Sequence, residues 1–286
     1  MFGVFFWDPA REMCSYSLPL LGRPIVWYGF FFAIGFFFGY ILLERRLRSY
    51  FLEHPFFVQQ DLIKKISASL AEKAFMYIVI GVIIGARLAD VFFYQNCKEL
   101  LRDPLLLFRV WEGGLSSHGG AFGALIACFF FFYKEKKQMP GLPFVGFLDF
   151  LCIPTAFLAG CIRIGNFFNQ EILGVCTTLP FGVVFGHPAD GGPLCPRHPV
   201  QIYESLFYFS MIPLFFLYQK KVKDPGKITG LFLMLVFGFR IMIEWLKVEQ
   251  SVLLHSSFFT MGQLLSIPFF LLGLFLFFCK KGLRSF

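Results

Sequence analysis

Hydrophobic positions in this chain fall in blocks rather than in stripes. Seven blocks of about twenty residues lie at roughly 25–43, 74–94, 115–133, 142–164, 201–219, 228–246 and 258–279. A helix of about twenty residues spans the ~30 Å hydrocarbon core of a bilayer, and a block apolar on every side offers water no face. The Gly, Pro, Ser and charged residues between the blocks mark connections. The pattern predicts an all-α integral membrane protein: one transmembrane domain over 1–286, a bundle of seven transmembrane helices, with the connection 165–200 as a small outer head. No short apolar region with a small-residue cleavage site precedes the first block, so no cleaved signal peptide is expected. No internal repeat is visible.

Composition points the same way. Hydrophobic residues make up 57% of the chain and charged residues 15%, against about 25% charged in soluble domains. Forty-four of the 286 residues are Phe, and mean hydropathy is +0.68.

The charges orient the blocks. The connections 44–73, 134–141 and 220–227 and the tail from Lys280 hold 6, 3, 4 and 3 Lys or Arg, sixteen in all. The N-terminal segment and the connections 95–114, 165–200 and 247–257 hold 2, 3, 1 and 1, seven in all. Basic residues collect on the cytoplasmic side, so the N-terminus is expected outside and the C-terminus in the cytoplasm. The net charge of +8 then reflects topology and attraction to anionic lipid. It is dispersed over four inner pieces, which argues against a nucleic-acid partner.

Three basic residues remain inside spans: Arg87, Arg163 and Arg240. An ionised side chain in a span is costly and marks a functional site by default. Each stands in the outer part of its span, with Arg240 about 9 Å below its helix end. Tyr28, Ser116, Ser117, His118, Gln201, Tyr203, Glu204 and Gln263 also fall in outer halves, so an outward-facing, cationic polar pocket is expected. Snorkelling alone would decorate both interfaces equally.

Local spacing refines the pocket. Arg163 and Asn166, three apart, share a helix face, as do Arg240 and Glu244, four apart; Glu244 is read as a structural partner for Arg240. His118 precedes Gly119 and Gly120 at the start of the third span, where free N–H groups favour an anion. Arginines in a half-buried site suit phosphate, and the phosphate carrier of a membrane is a phospholipid headgroup. Eight cysteines show no C-x-x-C pair and five histidines lack ligand spacing, so neither metal nor cofactor is expected. Cys176 and Cys195 share the outer connection, and the sequence leaves open whether they pair. An anion or lipid transporter is the alternative reading, but transporters place their site at the midplane between repeats.

Longer motifs carry a family resemblance. RIGNFFNQEILG (Arg163 to Gly174), Trp27-Tyr28-Gly29, Gly85-Ala86-Arg87, WEGGLSSHGG (Trp111 to Gly120), RHPVQIYE, FRIMIEW around Arg240 and MGQLLSIP occur in order along the chain. Together they resemble the bacterial prolipoprotein diacylglyceryl transferases. Val236 stands where many members have Tyr, and Lys247 where Arg is common.

The resemblance implies a multi-pass enzyme of the bacterial inner membrane with its active site on the periplasmic face. Its substrates would be phosphatidylglycerol and a prolipoprotein signal peptide with a lipobox cysteine, joined through a thioether as glycerol 1-phosphate leaves. Carried over by motif, His118 is the candidate base, and Arg163 and Arg240 would hold the phosphate. Tyr28, Arg87, Gly119, Gly120, Asn166, Asn169, Glu171, Gly174 and Glu244 would complete the substrate site.

Overall fold

A computed structural model of the chain describes residues 5–17, 24–53, 59–93, 103, 117–222, 224–248 and 260–279. Trp111 to Ser116, the side chains of Ser117 and His118, Cys97, His54, His255 and the tail from Lys280 lie outside the described residues.

Seven α-helices occur among the described residues, one for each apolar block. They are α1 (Trp27–Glu53), α2 (Gln60–Phe93), α3 (Ser117–Glu135), α4 (Phe144–Phe168), α5 (Val200–Tyr218), α6 (Lys227–Ile243) and α7 (Met261–Phe278). A 3-10 turn, Glu244–Leu246, continues α6. Five helices are long and apolar enough to cross a membrane: α1, α2, α4, α5, and α6 with its 3-10 turn; α7 is a shorter apolar helix. The chain is a mostly helical membrane protein.

Much of the expected connection 44–73 is helical, because α1 runs on to Glu53 and α2 begins at Gln60. The stretch has no Gly and is rich in Leu, Glu, Arg, Lys and Ala, all strong helix formers. The phenylalanine excess has a plain outlet: Phe122, Phe130 and Phe278 are exposed by 66%, 61% and 67%. Such rings on a helix surface fit a lipid solvent.

The chain divides into two compact units, Met1–Leu42 with Leu148–Phe286, and Leu43–Phe147. In the second unit, α2 and α3 meet backbone to backbone. A Cβ added at Gly85 would stand 2.8 Å from Gly123 Cα, and Gly81 and Gly119 are equally enclosed. Small residues are what let two helices in lipid approach this closely. Lys73 and Glu135 join the same pair of helices by a 3.1 Å ion pair.

In the first unit, Cys152, Ile153 and Ala156 of α4 pack with Tyr208, Met211 and Phe215 of α5 and Ile228 of α6. Asp149 caps α6, accepting from the Gly226 and Thr229 amides at 2.7 Å each and from Thr229 Oγ1 at 2.6 Å. Gly230 and Gly273 bring α6 against α7, where Thr260 and Gln263 form a capping box.

Short strands form outside the helices, which the helix-only expectation did not contain. β1 (Phe5–Trp7) pairs in parallel with β4 (Val183–Phe185), which pairs antiparallel with β5 (Pro196–Arg197). β2 (Glu12–Ser17) and β3 (Pro24–Val26) form a separate antiparallel pair. Cys176 and Cys195 are bonded as a disulfide across 19 residues, which answers the question the sequence left open.

Candidate functional site

The end of α4 and the turn after it gather polar groups around one acid. Arg163 and Asn166 share a face as their spacing requires, and Arg163 Nη1 donates to Asn166 Oδ1 at 3.2 Å. The helix ends at Phe168, and the chain then doubles back with Gln170 at φ 55° and Ile172 at φ 54°. Glu171 stands between these two left-handed residues. Its carboxylate accepts from Asn166 Nδ2 at 3.3 Å and Asn169 Nδ2 at 3.0 Å, and its amide donates to Asn166 O at 2.9 Å. Gln201 Nε2 holds the Glu171 carbonyl at 2.7 Å. Asn166, Asn169 and Glu171 are thus one hydrogen-bonded group with Arg163.

A second acid compensates Arg163. Glu204 is 1% exposed and bridges two cations: Oε1 lies 2.8 Å from Lys247 Nζ and Oε2 3.1 Å from Arg163 Nε. The Arg163 contact is an ion pair outside hydrogen-bond geometry, since Oε2 has no hydrogen-bond partner. Buried Tyr208 is in electrostatic reach of the Arg163 guanidinium. Tyr28 packs over Gly165, where a Cβ would meet its ring at 3.0 Å, and its phenol is in electrostatic reach of Glu171 and Arg163.

Arg240 differs. It is half-buried in α6 and in electrostatic reach of Tyr208, yet among the described residues its side chain has no hydrogen bond or ion pair. The expected pairing with Glu244 is not formed. The backbone between them is still α-helical, since the Glu244 amide donates to the Arg240 carbonyl, and a 3-10 turn follows from Glu244 on. The Glu244 carboxylate turns instead toward Lys247, 3.9 Å away, and lies against Gly262.

Gly174 has a backbone reason. The chain from Leu173 to Thr177 runs between two others: Val175 N donates to Leu246 O and His198 N to Val175 O. A Cβ at Gly174 would stand 2.8 Å from His198 Cβ and 3.0 Å from Leu246 O. The bridge from Gly174 to Lys247 fixes the residue whose ammonium meets Glu204.

In the other unit, Arg87 is 3% exposed and lies 3.6 Å from Asp90, one turn on. Gly119 faces Gly85 and Ala89, and Gly120 faces Val82 and Ala86, so both glycines serve helix packing. His118 lies in the first turn of α3. Asn166, Asn169, Glu171 and Tyr28 converge on Arg163, whereas Gly174 acts through Lys247.

Outside the spans, Asp8 and His187 mark the head. His187 Nδ1 and Gln170 Nε2 both bond Asp8 Oδ1, at 2.7 Å and 3.0 Å, and hold its carboxyl below the usual range. Burial raises the Asp190 carboxyl, but the Gly192 amide and Arg197 outweigh it and leave it low.

Tyr208 and Asp90 were not among the candidate residues from sequence, and Glu204 and Lys247 were noted there without a role, Glu204 as one of the polar residues of the outer halves and Lys247 as standing where Arg is common. A signal existed for two of them: Glu204 and Asp90 are acids inside apolar blocks, as costly there as the arginines. Each turned out to be an arginine's counter-charge.

The family model for prolipoprotein diacylglyceryl transferase matches residues 17–279. The phosphatidylglycerol–prolipoprotein diacylglyceryl transferase of Protochlamydia amoebophila is 33% identical over 98% of this chain and 96% of its own length. Those of Tolumonas auensis and Porphyromonas gingivalis are 39% and 38% identical, over 87% and 90% of this chain and 88% and 89% of theirs.

Proposed function

The chain belongs to the prolipoprotein diacylglyceryl transferase family, and on that premise we propose that it moves a diacylglyceryl group from phosphatidylglycerol to a prolipoprotein. The acceptor is the lipobox cysteine of the signal peptide. Its sulfur attacks the glycerol carbon that carries the phosphate, a C–S bond forms, and the C–O bond breaks. Glycerol 1-phosphate leaves with the electron pair, and the thiol proton passes to a base.

The observation that carries this reading is Arg240, a half-buried guanidinium in a membrane span with no acid beside it among the described residues. Such a group is short of an anion, and a phosphodiester supplies one with bidentate hydrogen bonds. Arg240 binds the phosphate and stabilises the charge that grows on it as the bond breaks. Arg163, held by Glu204 and Asn166, orients the polar group that receives the glycerol. Asn166, Asn169 and Glu171 position that glycerol, with Tyr28 beside them. Arg87 is held by Asp90, and Glu244 lies beside Lys247. His118, the histidine of the family's His-Gly-Gly motif, is the base: only the thiolate is an effective nucleophile, and a free cysteine pKa is ~8.5.

The seven apolar blocks support seven spans, and the sixteen-to-seven division of basic residues supports an outer N-terminus and an outer head. The family resemblance implies the bacterial inner membrane, with that head in the periplasm. The disulfide in the head supports an oxidising outer side.

The test is lipidation by the purified protein of a lipobox peptide in phosphatidylglycerol vesicles. A thioether-linked diacylglyceryl peptide and released glycerol phosphate are expected. Lipid movement between leaflets without a product would replace this reading by the transporter.

A further inference from the structure

The turn that carries Glu171 is held by a part of the chain far from it in sequence. Gln170 and Ile172, on either side of Glu171, both adopt φ near +55°. Side chains other than Gly persist there only when their surroundings hold them. Gln170 shows what the surroundings are. It is 4% exposed, and both ends of its amide are engaged. Nε2 donates to Asp8 Oδ1 at 3.0 Å, and Oε1 accepts from the His187 amide at 2.7 Å. The Gln170 carbonyl accepts from Ala189 N at 3.0 Å.

Asp8 is itself fixed on several sides. His187 Nδ1 bonds the same carboxylate oxygen at 2.7 Å. The strand before it, β1, is locked in parallel to β4, and Gly186 N donates to Trp7 O at 3.0 Å. Gly186 is where Asp8 comes closest: a Cβ there would stand 2.7 Å from Asp8 Cβ. Trp7 grips the other side of the turn. Its indole stacks on Phe167 with centroids 4.8 Å apart, meets Phe168 edge-on at 5.1 Å, and donates Nε1–H to Phe167 O at 3.1 Å. The last turn of α4 and the residue after Asn169 are therefore both tied to positions 7 and 8.

We infer that Trp7 and Asp8 are positioning residues for the transfer reaction: they clamp the strained turn at Gln170 so that Glu171 stays aimed at Asn166 and Asn169. Neither touches the reacting atoms. Their effect passes through Gln170 to the Glu171 carboxylate, and from Asn166 to Arg163. Without the clamp, Gln170 relaxes toward negative φ and swings Glu171 off its two asparagines. The inference rests on the transferase reading for its effect on rate, but the clamp itself is a statement about local structure.

The experiment has one arm for each. Hydrogen exchange on the detergent-purified protein reads peptides covering 168–173, where the Glu171 amide is bonded to Asn166 O. Asp8→Ala is expected to speed exchange there about tenfold, the effect of one lost hydrogen bond to a charged group. In the lipidation assay, Asp8→Ala is expected to lower kcat/KM by a similar factor, about tenfold.

Two combinations separate positioning from general stability. Glycine adopts the left-handed conformation freely, so in a Gln170→Gly background Asp8→Ala should change kcat/KM by no more than about twofold. In a Glu171→Ala background Asp8→Ala should likewise add nothing, because the group it positions is gone. Asp8→Asn keeps an acceptor oxygen for Gln170 and is expected to keep the turn protected.

Native exchange over 168–173 in Asp8→Ala would overturn the clamp. So would an Asp8→Ala loss that multiplies fully with Glu171→Ala, or an Asp8→Asn variant as damaged as Asp8→Ala. A wild-type protein that transfers no lipid would refute the transferase reading instead, and the exchange arm would still decide the clamp.

Discussion

The surroundings of Arg163 and of Arg240 differ in what answers the charge. Around Arg163 the protein supplies Glu204 at 3.1 Å and Asn166 at 3.2 Å, with Tyr208 in electrostatic reach. Around Arg240, among the described residues, it supplies no acid and no hydrogen-bond acceptor. Both arginines are intramembrane cations, and both were read from sequence as phosphate ligands. The structure divides the work: a compensated arginine is a fixed part of a framework, while an uncompensated one waits for an anion. Arg87, paired with Asp90, belongs to the first kind.

Four changes test that division. The largest effect is expected from Glu204→Ala, which leaves Arg163 and Lys247 without their shared counter-charge. Breaking a buried pair by removing one partner costs about 3–5 kcal/mol, so the melting temperature in detergent should fall steeply. An unchanged melting curve would mean that the framework is not held by this acid.

Arg240→Ala should do the opposite. No protein partner is orphaned, so stability should hold, while lipidation falls by about 10²–10³ as a donor to developing charge is lost. Arg240→Lys should recover part of it, since the charge remains without the fork. A large loss of stability in Arg240→Ala would erase the distinction between the two arginines.

Gly174→Ala sharpens the comparison from a distance. A methyl group would press on His198 and Leu246, at a cost of about 1–3 kcal/mol, and would disturb Lys247 and hence Glu204. Its double mutant with Glu204→Ala should therefore be less than additive in melting temperature, whereas Gly174→Ala with Arg240→Ala should be additive.

The smallest effect concerns acid. The Asp8 carboxyl titrates below its ordinary value of 3.8 because His187 and Gln170 bond the charged form. A depressed carboxyl adds stability that is present above the ordinary value and lost as pH falls through the folded one. Exchange protection of the turn, corrected for intrinsic rates, should weaken only in that acid window, and less so in Asp8→Asn.

The helices were legible because a bilayer enforces them. About twenty apolar residues leave the backbone one way to satisfy itself, and all seven blocks became helices. The extended α1 and α2 were less plain, since a hydropathy block marks lipid contact rather than helix length. Arg163, Asn166, Asn169 and Glu171 were legible as a group because spacing on one helix and its following turn decides their neighbours. Glu204, Lys247 and Asp8 come from other segments, and no spacing rule joins residue 8 to residue 170. Glu244 misled for a local reason: the i, i+4 rule gives a shared helix face but not a partner, and its carboxylate lies toward Lys247 from the next turn.

The glycine seam between α2 and α3 bears on how the molecule is made. Both helices are synthesised before Arg163 emerges, and helices already inserted in lipid associate through just such small-residue contacts. The hairpin they form has its complementary surfaces complete at that moment and needs nothing from the rest of the chain to close. Assembly in the membrane can therefore begin with a finished two-helix piece, before Glu204 and Arg240 have reached the bilayer.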